Sequence, residues 1–112
     1  VNNGETKHVA GTYNVSFDGS ILNISFGTPS DNDEKVVDAA AGCKVVVDEV
    51  IAVGLDVLRV NGAASLPVAM TIAHAFAHLV PAVACFDPKI DGGSYVVCIT
   101  HSSAYELGQV IK

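Results

Sequence analysis

Two histidines four residues apart, His74 and His78, stand in the segment AMTIAHAFAHLVP. On a helix, residues i and i+4 share one face. Two imidazoles so placed can chelate a divalent metal or flank one substrate, and histidine changes charge near neutral pH. No Glu follows the first histidine, which excludes the H-E-x-x-H arrangement of zinc proteases. The plainer possibility is one packed and one solvated histidine. Asp87-Pro88-Lys89 follows an apolar run, and His101-Ser102-Ser103 follows the next one. A carboxylate beside an ammonium at a strand's C-terminal end lies where open α/β folds place ligands; an Asp-initiated turn would look the same. The loop Asn61-Gly62-Ala63-Ala64-Ser65 joins a strand end to a helix start. Unpaired N–H groups and the positive end of the helix dipole suit an anion there. Its spacing matches neither G-x-G-x-x-G nor a P-loop, and an ordinary Ser-capped turn would have the same residues. His8 lies in a polar arm and is assigned no role.

The elements that position these residues can be read from periodicity. Residues Val1–Val9 are polar and expected to fray. Tyr13, Val15 and Phe17 alternate, as do Leu22, Ile24 and Phe26, with Asp18-Gly19 between them: a β-hairpin. A helix should follow Pro29, capped by Ser30 or Asp31, with Asp33 and Glu34 in its first turn. Val36, Val37, Ala40, Cys43, Val47, Val50 and Ile51 give it helical spacing, and Gly54 is its expected C-cap. Val57, Leu58 and Val60 make a short strand. Ser65 then caps a second helix with Pro67 in its first turn, running to about Leu79. Pro81 ends it, and Ala82–Phe86 is a buried strand. Asp87–Gly93 is too short for another crossover, so Tyr95–Thr100 must return antiparallel. The expected fold is a small α/β domain over residues 1–112: an N-terminal hairpin, a right-handed βαβ unit and an antiparallel return strand, a Rossmann-like or ferredoxin-like sheet with helices packed on it.

Composition narrows the class. The chain has 112 residues, half of them apolar, with a mean hydropathy of +0.43, which suits one domain with a real core. No apolar run reaches the ~20 residues of a membrane span. A net charge of −6 argues against a general DNA or RNA binder, which would show a basic face. Any phosphate ligand must be held locally. Cys43, Cys85 and Cys98 lack C-x-x-C spacing, and Cys85 and Cys98 fall in apolar strands as expected buried thiols. A cytoplasmic, reducing compartment is expected. The start at Val1 rather than Met would suit one domain of a longer protein.

Strand direction sets a geometric constraint. Asn61 and Asp87 end parallel strands and lie at one edge. The intervening helix carries His78 back to the opposite edge, and the antiparallel return strand delivers His101 there as well. A strand of five or six residues separates the edges by roughly 17–20 Å. One subunit therefore cannot bring all four residues onto one atom. A site using them all must be composite, built by subunits stacked head to tail, in a closed assembly or a filament. His74, nearer mid-height, could serve either edge.

The segment VNGAASLPVAMTIAHAFAHLVPAVACFDPK, followed by YVVCITHSSAYELGQVI, resembles the small CRISPR-associated ring nucleases of type III systems. These manganese-dependent enzymes degrade cyclic tetra-adenylate and are related to CARF sensor domains. The resemblance covers Val57 to Ile111, and its motifs come in a specific order: small-residue loop, A-H-x-x-A-H, D-P-[KR], then a strand ending in His. It implies a dimer that stacks head to tail around one ring of four nucleotides, forming a tetramer or filament, and in some relatives a fused nucleotide-binding domain. Carried across, His78, Asp87 and His101 are catalytic and possible ligands of Mn2+. His74 is a possible further catalytic group. Asn61, Gly62, Ala63, Ser65 and Lys89 face the ring. Lys89 stands where many members have Arg, and the loop here lacks the Arg that relatives often carry.

The chemistry then expected is cleavage of a phosphodiester, either by the neighbouring ribose 2′-hydroxyl or by metal-activated water, with imidazoles as acid and base. Two other readings stay open. One is a sensor domain that binds the ring without cutting it. The other is a manganese-dependent exonuclease that trims 3′-adenylate tails of linear RNA.

Overall fold

In a computed structural model, which describes residues 6–9, 12–27 and 34–112, the chain forms one mixed sheet of seven strands in sequence order. The strands are β1 (Thr6–Val9), β2 (Tyr13–Phe17), β3 (Ile21–Phe26), β4 (Leu58–Gly62), β5 (Ala82–Asp87), β6 (Ser94–Thr100) and β7 (Val110–Ile111). Helix α1 (Glu34–Val53) links β3 to β4, and α2 (Leu66–Phe76) links β4 to β5. The β3–β4 and β4–β5 pairs are parallel, and every other pair is antiparallel. Two crossovers of one hand, stepping the same way across a sheet, put both helices on the same face. They pack there against each other.

The expected small α/β domain, with its hairpin, βαβ unit and antiparallel return, is present. At the hairpin turn, Asp18 Oδ1 accepts the N–H groups of Ile21 (2.8 Å) and Ser20 (3.0 Å). Beside it Gly19 takes φ +101°, a conformation that L side chains rarely adopt. Gly54 ends α1 at φ +71° with its N–H on the Ile51 carbonyl. The cap expected at Ser30 or Asp31, and Asp33 of the expected first turn, lie outside the described residues.

Four expectations are corrected. Thr6–Val9 does not fray but pairs with β2, with His8 opposite Val15. A seventh strand, only two residues long, closes the far edge. The buried stripe of α1 is Ala39, Gly42, Cys43, Val46 and Val50, so Val37, Ala40 and Ile51 face solvent. Finally, α2 stops at Phe76 and not near Leu79. The Leu79 N–H bonds the Phe76 carbonyl at 3.1 Å, a three-residue step that tightens the chain. Phe76 and Val80, on either side of that turn, both reach the core.

The main core lies between the helices and the sheet. Val15, Phe17 and Leu22 from the hairpin meet Val46 and Val50 of α1 and Val68 and Phe76 of α2, all fully buried. Strand alternation splits the interior. Leu58 and Val83 face the helices, whereas Val57, Ala82, Ala84 and Val97 form a smaller cluster on the other side, under Tyr95, Tyr105 and Ile111. The central strands are thus covered on both faces, which fixes the height of everything at their ends.

Candidate functional site

The expected site residues fall at the two ends of β4 and β5. At the C-terminal end, β4 runs straight into the loop before α2. Asn61 Oδ1 accepts the Gly62 N–H at 2.8 Å. Gly62 sits at φ +128°, and a Cβ there would run into the Ile24 carbonyl oxygen of β3. The chain crosses β3 too closely for any side chain, so the Gly is required by approach as well as by φ. The Ala63 N–H then bonds that same carbonyl at 3.3 Å. Ser65 occupies the N-cap position in extended conformation, but its hydroxyl makes no capping bond. Its Oγ is buried and has no hydrogen-bond partner, while its N–H donates to the Tyr13 hydroxyl at 3.3 Å. A hydroxyl hidden from water without a partner costs about 1–3 kcal/mol.

Asp87 ends β5 at the same end of the sheet. Its Oδ1 accepts the Lys89 N–H at 2.9 Å, an Asx turn that fixes the carboxylate and sends Lys89 into solvent. The expected loop therefore does hold the D-P-K segment beside the end of β4, one strand away. A cavity of about 190 Å3 opens below this rim, between α2 and strands β4 to β6. Asn61, Gly62 and Ala64 form its polar lip, and Val60, Ile72 and Val83 part of its apolar wall.

At the other end, Thr100 of β6 pairs with Ala82, the first residue of β5, and the His101 N–H bonds the Pro81 carbonyl at 2.9 Å. His78 lies in the turn that precedes β5. The two imidazoles stack, with ring centroids 5.1 Å apart and planes inclined at 30°. Both are exposed. The helical face that spacing suggested for His74 and His78 is not formed. His74 is in the last turn of α2 and exposed, and His78 is beyond the helix end. His78 takes its partner from β6 instead.

The structure thus brings His78 to His101, and Asn61–Ser65 to the neighbourhood of Asp87 and Lys89, but keeps the two groups at opposite ends of β5. Among the described residues, no group of three or more His, Cys, Asp or Glu is gathered to hold a metal ion. One chain offers two imidazoles at one end and one carboxylate at the other. No helix of the described residues is long and apolar enough to cross a membrane.

The family model of a CRISPR-associated protein, Cas_csx3, matches residues 53–112. The chain belongs to this CRISPR-associated family. The matched segment is sixty of the 112 residues and contains every candidate site residue, from Asn61 to His101. Neither a curated protein nor a solved structure matches the chain.

Two features escaped the sequence reading. Cys85 and Cys98 are not buried thiols but reach the cavity wall, where solvent touches both residues. Arg59, on the far face of β4, lies 5.8 Å from the Tyr95 ring centroid, and Tyr95 meets Phe86 edge to face at 5.4 Å. Its Nε donates to the Lys112 carbonyl at 3.0 Å, tying the C-terminal strand to the sheet. The alternation of Leu58, Arg59 and Val60 was the available signal for that face.

Proposed function

We propose that the chain binds cyclic tetra-adenylate and cleaves it, ending type III CRISPR signalling. The observation that carries this reading is the separation of two chemically distinct ends. Paired imidazoles stand at one end of β5, and the Asn61–Ser65 loop leading into α2, with an Asx-fixed carboxylate and a lysine, stands at the other. Membership of a CRISPR-associated family supports the biological setting. A flat ring held on the loop end of one subunit would meet the imidazole end of the next in a head-to-tail stack. That arrangement uses His78, His101, Asp87, Lys89 and the Asn61–Ser65 loop without asking any to cross the sheet.

In this reading the Asn61–Ser65 loop and the start of α2 hold phosphate, with the Ser65 hydroxyl acquiring the partner it lacks. Lys89 adds charge from the rim. His78 and His101 of the facing subunit act on the scissile linkage, one taking the proton of the attacking hydroxyl and the other protonating the leaving oxygen. Asp87 orients a facing imidazole or joins it at the metal. Manganese accepts imidazole and carboxylate ligands, so His78, His101 and Asp87 of two copies would suffice to hold Mn2+, which would neutralise phosphate oxygens when bound. The metal also answers the net charge of −6, which otherwise repels an anionic ring.

The test is incubation with cyclic tetra-adenylate, with and without Mn2+, resolved by chromatography alongside linear tetra-adenylate. Linear product from the ring supports the proposal. An intact ring under both conditions overturns it. Faster loss of the linear oligomer than of the ring would favour an exonuclease.

A further inference from the structure

The cavity beneath the Asn61 rim holds two sulfur atoms that the proposed reaction does not use. Cys85 lies on β5 opposite Val96 of β6. The ladder then slips: Ala84 pairs with Val97, and Val83 with Ile99, so Cys98 is left over as an extra residue in β6. Val97 faces the far side, so alternation already turns Cys98 to the helix side; the extra residue sets Ile99 on that side as well, and Cys85, Cys98 and Ile99 line one cavity wall.

The wall around the two sulfurs is a selective environment. Among the described residues, no carboxylate or imidazole lines the cavity. Its nearest amide oxygen, Asn61 Oδ1, is engaged by the Gly62 N–H. Hard cations such as magnesium, calcium and manganese want oxygen ligands, and zinc wants four ligands. Neither demand is met. We propose that Cys85 and Cys98 form a two-thiolate site for a soft monovalent cation of the Cu(I) class, separate from the function proposed above. Each thiol loses one proton and each sulfur gives one electron pair to the metal. The product, S–Cu–S, carries one net negative charge. Ala69, Ile72 and Ala73 of α2 also line the cavity.

Partial burial of its sulfur first, and then the neighbouring Cys98 thiol, push Cys85 up to about 12, so a metal must displace its proton on binding. Affinity should rise with pH, because two protons leave on binding.

The experiment is an anaerobic Cu(I) titration of the reduced chain against a chromophoric Cu(I) chelator. One Cu(I) per chain is expected. Cys85→Ser and Cys98→Ser should each weaken binding by about a hundredfold or more, through loss of the second tethered ligand. Cys43→Ala should leave the affinity unchanged, because Cys43 sits in the α1 core. Full-strength binding in either serine variant, no binding by the folded parent chain, or Zn2+ binding as tightly as Cu(I) would each overturn the site. A second measurement needs no variant. One equivalent of Cu(I) should protect Cys85 and Cys98 together from maleimide labelling, read by peptide mass; protection of only one overturns the pairing.

Discussion

The two ends of strand β5 are built by different means. At the Asn61–Asp87 end the backbone does the shaping. Gly62 passes against Ile24 where no side chain fits, and two Asx-type bonds, Asn61 to Gly62 and Asp87 to Lys89, hold the turns. At the His78–His101 end the turns are held by the His101 N–H on Pro81 and by bonds of Thr100 and Ser102, none of them from an imidazole, and the chemistry sits on exposed, stacked rings. The first end should be sensitive to substitution in stability, the second in activity alone. A site for an extended ligand divides naturally in this way: the rigid rim binds, and the rings, free of structural duties, react.

The sharpest way to break that contrast is at the histidines. His78→Ala and His101→Ala should each lower ring cleavage by about a hundredfold to ten-thousandfold, the range for loss of a general acid or base. Melting temperature should stay close to that of the parent chain, because both rings are exposed. A fall in melting temperature parallel to the activity loss would assign the rings to structure. Mixing His78→Ala with Asp87→Ala chains sharpens it further. Restored cleavage is expected if the residues act from different subunits, and no rescue at any ratio would remove the composite site.

Gly62→Ala tests the rigid rim and should cost about 3 kcal/mol or more in unfolding free energy. The added methyl meets a backbone oxygen of β3, not the movable tip of a side chain. Urea unfolding measures the loss, and a chain as stable as the parent would show that the β3–β4 crossing can widen freely. Ser65→Ala separates binding from stability at that same rim. Its Oγ is buried without a partner, so removing it should raise stability, by up to about 1–3 kcal/mol. Ring affinity, followed by calorimetry, should nevertheless fall. Unchanged affinity would take the Ser65 hydroxyl out of the phosphate contact.

Much of this layout could be read in the sequence, and the failures have physical causes. Strand directions followed from loop lengths: seven residues cannot make a parallel crossover, so β6 had to return and carry His101 to the end opposite Asp87. The Asp18-Gly19 turn and the Gly54 cap were legible because positive φ singles out glycine. The end of α2 was not. Ala77 is as good a helix former as any and still has helical φ and ψ; the helix nevertheless closes there, in the three-residue turn from Phe76 to Leu79 just ahead of Pro81. So i, i+4 spacing gave a wrong partner for His78. Cys85 and Cys98 were misjudged because an apolar run with strand alternation sets which face a side chain takes but not whether that face is covered, and here it opens onto a cavity. Strand β1 was missed because its residues, TKHV, carry no alternation of apolar and polar positions.

The smallest effect lies far from both ends, in the β2–β3 turn, and checks that the contrast is local. Backbone N–H groups of Ile21 and Ser20, the former making the largest contribution, hold the Asp18 carboxyl below the usual carboxylate range. A group whose pKa is lowered on folding adds stability above its unfolded value, and that stability is lost as pH falls through the folded one. Asp18→Ala should therefore cost only about 0.5–1 kcal/mol at pH 7, because the carboxylate is exposed and screened. The gap between the two chains should shrink steadily below about pH 4, as Asp18 in the parent takes up its proton. Unfolding curves across that range measure it. A gap that widened in acid would mean that the protonated side chain, not the carboxylate, holds the turn. Cleavage by the variant at neutral pH should match the parent, since the turn touches neither the rim nor the imidazoles.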